Sequence, residues 1–169
     1  MFNKVLLVGA LISGAVANFD KFPKITEGAL LAHAEIRVTY PDASCESVYG
    51  NFHTILKGFG NEDPAKGTYA IKELVDSKYI WTRRSDAYPY HETDDVGFTF
   101  ITVGDDCEVK GKSISQFLPK GDKQNAYCSV WNVMKYAKTF INLKNGWSSY
   151  TPTDPDTECV AYPAEAFLQ

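Results

Sequence analysis

Gly97-Phe98-Thr99-Phe100-Ile101-Thr102-Val103, then Gly104-Asp105-Asp106, then Cys107-Glu108-Val109-Lys110-Gly111-Lys112: this stretch decides the fold class. A run of aromatic and β-branched residues meets a turn of Gly and Asp and resumes as a second extended segment, which is the pattern of an antiparallel hairpin. Upstream, Ala34, Ile36, Val38 and Tyr40 alternate with Glu35, Arg37 and Thr39, a half-buried strand that Pro41-Asp42 ends. Tyr69 to Val75 and Lys78 to Arg83, joined by Asp76-Ser77, read as a further hairpin, with a helix from Thr68 as the rival. Asn145-Gly146 between Phe140–Leu143 and Trp147–Tyr150 predicts a third.

Between the first strand and these hairpins, Val48, Phe52, Ile55, Leu56 and Phe59 recur at helical spacing from Cys45 to Phe59. Ser44 is placed to cap the start, and Gly58 or Gly60 to stop the end. Tyr127 to Tyr136 fits either helix or strand, and the tail with Pro152, Pro155 and Pro163 reads as loop except near Cys159. The expectation is an α+β single domain, mainly antiparallel β-sheet with one helix packed on it and two disulfides. Three tryptophans and ten tyrosines then serve chiefly to fill the core and the strand faces.

Composition narrows the function classes. With 17 Lys and Arg against 21 Asp and Glu the net charge is −4, so nothing draws the chain as a whole to a phosphate backbone. At the N-terminus Lys4 precedes an apolar run from Val5 to Val16 that ends in Ala15-Val16-Ala17. That is the form of a secretory signal peptide, residues 1–17, with cleavage expected after Ala17 and a secreted domain of residues 18–169. The run is shorter than the roughly 20 residues that span a bilayer, so no membrane attachment is expected. Export puts Cys45, Cys107, Cys128 and Cys159 in an oxidising medium, where they form two disulfides. Three connectivities exist, and the favoured one is nested, Cys45 with Cys159 around Cys107 with Cys128. Asn-x-Ser/Thr is absent from the chain, which excludes N-glycosylation.

Few residues are arranged for chemistry. There is no Gly-x-Ser-x-Gly elbow, and Cys-x-x-Cys or His spacing suited to metal is missing, so neither serine hydrolysis nor a metal centre is indicated. Gly58-Phe59-Gly60 lacks the third glycine of a dinucleotide loop, and Asp154, Asp156 and Glu158 lack the glycine of a calcium loop. No cofactor is implied. Lys110, Lys112, Lys120, Lys123, Lys135, Lys138 and Lys144 concentrate cations in the C-terminal half, interspersed with Asp105, Asp106, Glu108 and Asp122. The stretch best supplied for proton transfer runs from Arg83-Arg84 to His91-Glu92, where an imidazole and a carboxylate follow two guanidinium groups. His53 is the upstream histidine that could complete an acid–base pair with it.

Tyr88-Pro89-Tyr90-His91 followed by Gly97-Phe98-Thr99-Phe100 resembles the base-recognition segment of the secreted microbial guanyl-specific ribonucleases, over 13 of 169 residues. The chain departs from that family in placing the His one residue late, in carrying Thr93-Asp94-Asp95 where asparagines hold guanine, and in having no later His. In its signal peptide, size and sparse even cysteines it also resembles the secreted effector-like proteins of plant-associated fungi. These resemblances imply a non-enzymatic binding protein, a monomer acting on a protein or other macromolecule of a host. The alternative they imply is an endoribonuclease-like hydrolase, or an inactive scaffold of that kind, using His91 and Glu92 with Arg83 or Arg84 on the phosphate.

Overall fold

The computed structural model describes residues 22–23, 31–86, 92–116 and 124–160, so the signal-peptide reading and His91 lie outside the described residues. The described chain is an α+β domain whose elements run β1 (His33–Tyr40), α1 (Cys45–Gly58), β2 (Gly67–Val75), β3 (Tyr79–Asp86), β4 (Thr93–Val103), β5 (Asp106–Ser115), α2 (Gln124–Ala137), β6 (Ile141–Asn145) and α3 (Pro155–Glu158). All the strands pair antiparallel in one six-stranded sheet of order β2-β3-β4-β5-β1-β6. The two expected hairpins, β2–β3 and β4–β5, are present, and Gly104 occupies the second turn with φ +62°, a conformation that favours glycine. Among the described residues no helix is long and apolar enough to cross a membrane.

Period-2 burial in β1 places Ala34, Ile36, Val38 and Tyr40 on the face that the helices cover, and Glu35, Arg37 and Thr39 on the other. Helix α1 starts where Ser44 Oγ accepts from the Ser47 N–H and packs Val48, Phe52 and Leu56 onto the sheet. Phe52 meets Phe98 and Phe100 edge-on, each at 5.1 Å between ring centroids. Tyr40 and Tyr69 then bind the sheet to α2, their hydroxyls donating to the Met134 and Ser129 carbonyls at 2.9 and 2.6 Å.

Three expectations need correction. The sheet carries more than one helix: the ambiguous Tyr127–Tyr136 segment is the body of α2, which buries Ala126, Val130, Val133 and Met134 and stacks Tyr127 on Trp131. Asn145-Gly146 makes no hairpin, because β6 pairs with β1, and Trp147 turns back onto the His33 ring at 4.1 Å. Gly146 is needed there for close approach, since a Cβ would stand 2.9 Å from Glu35 Cγ. The disulfides are Cys45–Cys107 and Cys128–Cys159, not nested. Sheet register explains the first: Cys107 lies opposite Tyr40 at the end of β1, and the chain from Tyr40 reaches the first residue of α1, Cys45, after one turn. The second fastens the end of α3 to α2, where Asn132 Nδ2 also donates to the Cys159 carbonyl at 3.0 Å. Within the tail, the acidic segment just before Cys159 is a helical turn capped by Asp154.

Candidate functional site

Alternation separates the two arginines that stand side by side in the sequence. On β3, Ile80, Thr82 and Arg84 face the helices, whereas Trp81 and Arg83 face away. Arg83 lies over the outer face with its Nε 3.5 Å from Asp95 Oδ1. Asp95 is also held by Trp81 Nε1 at 3.0 Å and Gln116 Nε2 at 2.7 Å. His53 sits partly exposed on α1, its ring 6.4 Å from that of Tyr49. The proposed set of Arg83, Arg84, His53 and Glu92 is therefore not one constellation.

What the fold assembles is a buried polar cluster around Arg84, which is 1% exposed. Its Nε donates to Asp63 Oδ2 at 2.6 Å, its Nη2 reaches Asp63 Oδ1 and the Ala65 carbonyl at 3.3 Å each, and its Nη1 donates to Asp86. Asp63 is fixed in turn by the Ala65 and Gly67 N–H groups at 2.9 and 2.7 Å. Gly67 leaves the room this needs, because a Cβ at that position would overlap the guanidinium. From α2, Asn125 Nδ2 donates to Asp86 Oδ2 at 2.8 Å and approaches Glu92 Oε2 at 3.4 Å. Opposite Arg84 on β4 stands Asp94, and opposite Asp94 on β5 stands Ser115, each 2% exposed. The Ser115 hydroxyl is the donor at hand for Asp94 across the β4–β5 ladder, and no further partner of ordinary hydrogen-bond geometry reaches Asp94 Oδ1 or Ser115 Oγ among the described residues.

Four carboxyl groups, Asp63, Asp86, Glu92 and Asp94, thus surround one guanidinium in the interior. Burial works against the Arg84 charge, but Tyr69, Asp63 and Asp86 outweigh it and hold its pKa above the usual arginine value. Burial raises the Asp86 carboxyl, against the pull of Arg84. Asp94 is pushed up by burial to about 7, with Arg84 and a hydrogen bond from the Ser115 hydroxyl opposing and Asp86 and Glu92 adding to the rise. Among the described residues no group of three His, Cys, Asp or Glu side chains is placed to hold a metal ion. The arrangement locks an arginine in the interior, and Arg84 offers no open guanidinium for a phosphate.

Of the sequence candidates, Arg84 and Glu92 enter this cluster, and Arg83 and His53 do not. Sequence reasoning missed Asp63, Asp94, Ser115 and Asn125 as members. The two-residue spacing of Arg84 and Asp86 on a strand was the available signal, since it puts both on one face.

Lys120 and Lys123 lie outside the described residues; of the other C-terminal lysines, Lys110 and Lys112 flank Glu35 at 2.8 and 3.4 Å, and Lys135 meets Asp156 at 2.9 Å. A separate recess of about 270 Å³ lies between α2 and α3, lined by Trp131, Asn132, Lys135, Tyr136, Asp156 and Val160 among others.

No protein-family model matches the chain, and no curated protein matches it. Among solved structures, it is similar to DynU16, described as a putative protein in the dynemicin biosynthetic locus, at 10% identity with a TM-score of 0.48. That match covers 63% of this chain and 45% of the other, so the chain spans less than half of that protein's length. It is also similar to protein CV1439 from Chromobacterium violaceum, at 14% identity, TM-score 0.42, over 61% of this chain and 93% of that one. Protein Mll3558 from Rhizobium loti matches at 13% identity, TM-score 0.46, over 63% and 95% of the two chains.

Proposed function

We propose that the chain is an exported, disulfide-bonded, non-enzymatic binding protein, a monomer acting on a host or other extracellular partner in the manner of a small effector. The observation that carries this reading is the placement of the two arginines. Phosphodiester cleavage needs a cation on the phosphate and two groups for proton transfer in contact with the substrate. Arg84 is buried against Asp63 and Asp86, Arg83 lies over Asp95 on the opposite face, and Glu92 is itself buried, 7% exposed, beside Asn125. Two disulfides suit an oxidising compartment, and the apolar N-terminal run from Val5 to Val16 supports export.

The test is incubation of the purified mature domain with single-stranded RNA from pH 5 to 8, beside a His91→Ala variant. Intact RNA throughout is the expected outcome. Cleavage that His91→Ala abolishes would replace this reading with the ribonuclease-like hydrolase.

A further inference from the structure

We infer that the recess of about 270 Å³ between α2 and α3 is a binding site for a small uncharged phenol, a single aromatic ring that docks against Tyr136 and Val160 and donates its hydroxyl to Asn132 Oδ1. Size sets the first limit. A cavity of about 150 Å³ already holds benzene, so this one takes a substituted ring but not a fused cofactor or a polymer. The walls set the second. Tyr136 and Val160 are left 54% and 46% exposed where they meet the recess, and Pro155 adds a third apolar surface. Apolar side chains gathered around a concavity are what a ligand site presents, whereas scattered exposure needs no explanation. An aromatic ring gains from Tyr136 beyond the area it buries.

The site is preformed on both sides. Trp131, 6% exposed, is held between Tyr127 and Phe140, whose ring centroids lie 6.3 and 5.5 Å away. The facing wall hangs on the Cys128–Cys159 bridge, which fastens the end of α3 to α2. Beside Trp131, Asn132 is 3% exposed, and its Nδ2 donates to the Cys159 carbonyl at 3.0 Å. That bond fixes the amide and turns its one acceptor, Oδ1, away from Cys159. Oδ1 accepts from no donor among the described residues, yet it is not sealed from solvent, which reaches it through the recess that Asn132 lines. A ligand with no donor would strip water from this oxygen and return nothing, whereas a hydroxyl takes the water's place. Charge argues for a neutral ligand. Lys135 and Asp156 stand at the rim, 47% and 53% exposed, and pair with each other at 2.9 Å, with Lys135 Nζ 6.0 Å from the Trp131 ring centroid. Cation and anion cancel there, so the rim offers an ion no net attraction.

The experiment titrates the full chain with p-cresol and, in parallel, with toluene, following the backbone amides and the Asn132 side-chain amide by NMR. Saturable shifts centred on Trp131, Asn132 and Val160 are expected, with a Kd of about 1 mM or tighter for p-cresol. Toluene should bind about tenfold more weakly, the difference made by one hydrogen bond to an acceptor that the ligand dries. Val160→Trp, at a half-exposed position, fills the recess and should weaken p-cresol by at least about tenfold, while unchanged signals in β1 and α1 show the fold intact. Tyr136→Ala, also exposed, removes a wall instead of filling the space and should weaken p-cresol by about threefold or more. The inference is overturned by the absence of saturable shifts up to about 10 mM p-cresol, ten times the expected limit. Toluene binding as tightly as p-cresol overturns it too, as does a p-cresol affinity that neither substitution lowers.

Discussion

Replacing Arg84 with Met is the most informative perturbation of the interior, because it removes the charge while keeping an unbranched side chain of similar reach. The guanidinium is 1% exposed and bonds Asp63, Asp86 and the Ala65 carbonyl, so the variant strands two carboxylates rather than deleting a balanced pair. Removing one partner of a buried ion pair costs about 3–5 kcal/mol. With a urea dependence of about 2 kcal/mol/M, the midpoint should move down by about 2 M. Arg84 also lowers the proton affinities of Asp86 and Asp94. Without it both carboxyls protonate more readily, so the loss should be smaller at pH 5 than at pH 8. Arg83→Met is the control: its side chain is 37% exposed, and Asp95 keeps Trp81 and Gln116 as donors, so the cost should be at most about 1 kcal/mol. Tryptophan fluorescence during unfolding reads both. A loss under about 1 kcal/mol for Arg84→Met at pH 8, or an equal loss for Arg83→Met, would refute the reasoning.

Gly111→Ala should lower the thermal midpoint by several degrees, at about 1–3 kcal/mol of overpacking. Its Cβ would overlap Val130 Cγ1 and stand 2.8 Å from Met134 Cε, forcing α2 off the sheet. Gly50→Ala, with nothing within 4 Å on an exposed turn of α1, should instead stabilise the fold by about 0.5–1 kcal/mol and raise the midpoint, and a fall there would contradict the helix packing. Peptide mapping of unreduced protein should return Cys45–Cys107 and Cys128–Cys159, and a Cys45–Cys159 peptide would contradict the register. Joint Cys128→Ser and Cys159→Ser substitution should cost about 3–4 kcal/mol for a bridge between residues 31 apart.

The elements that could be read in advance are those whose burial is periodic and local. Ala34 to Tyr40 alternates cleanly, Val48, Phe52 and Leu56 make one helical stripe, and Asp76-Ser77 and Gly104-Asp105 carry turn chemistry. Helix α2 was illegible because Tyr127, Val130, Trp131 and Val133 are strand formers whose helical state is set by the sheet beneath them. Gly146 looked like a turn residue because close packing on Glu35 and a hairpin call for the same amino acid. Cysteine pairing depended on which strand lies beside β1, which no local pattern states. At the site, Arg84 and Glu92 drew notice as charges, but nothing near them in sequence announces Asp63, 21 residues before Arg84, as the partner that buries the guanidinium. Strand alternation alone could have separated Arg83 from Arg84.

The burial of Asp94 beside Arg84 is tested most directly by following the side-chain carboxyl carbons of the wild-type protein by NMR through a pH titration, with Asp94 assigned from the signal lost in Asp94→Asn. One aspartate carboxyl is expected to titrate near 7, the value to which burial pushes Asp94. An Asp94 signal that completes its titration below pH 5 would show the carboxylate ionised in the folded interior and contradict it.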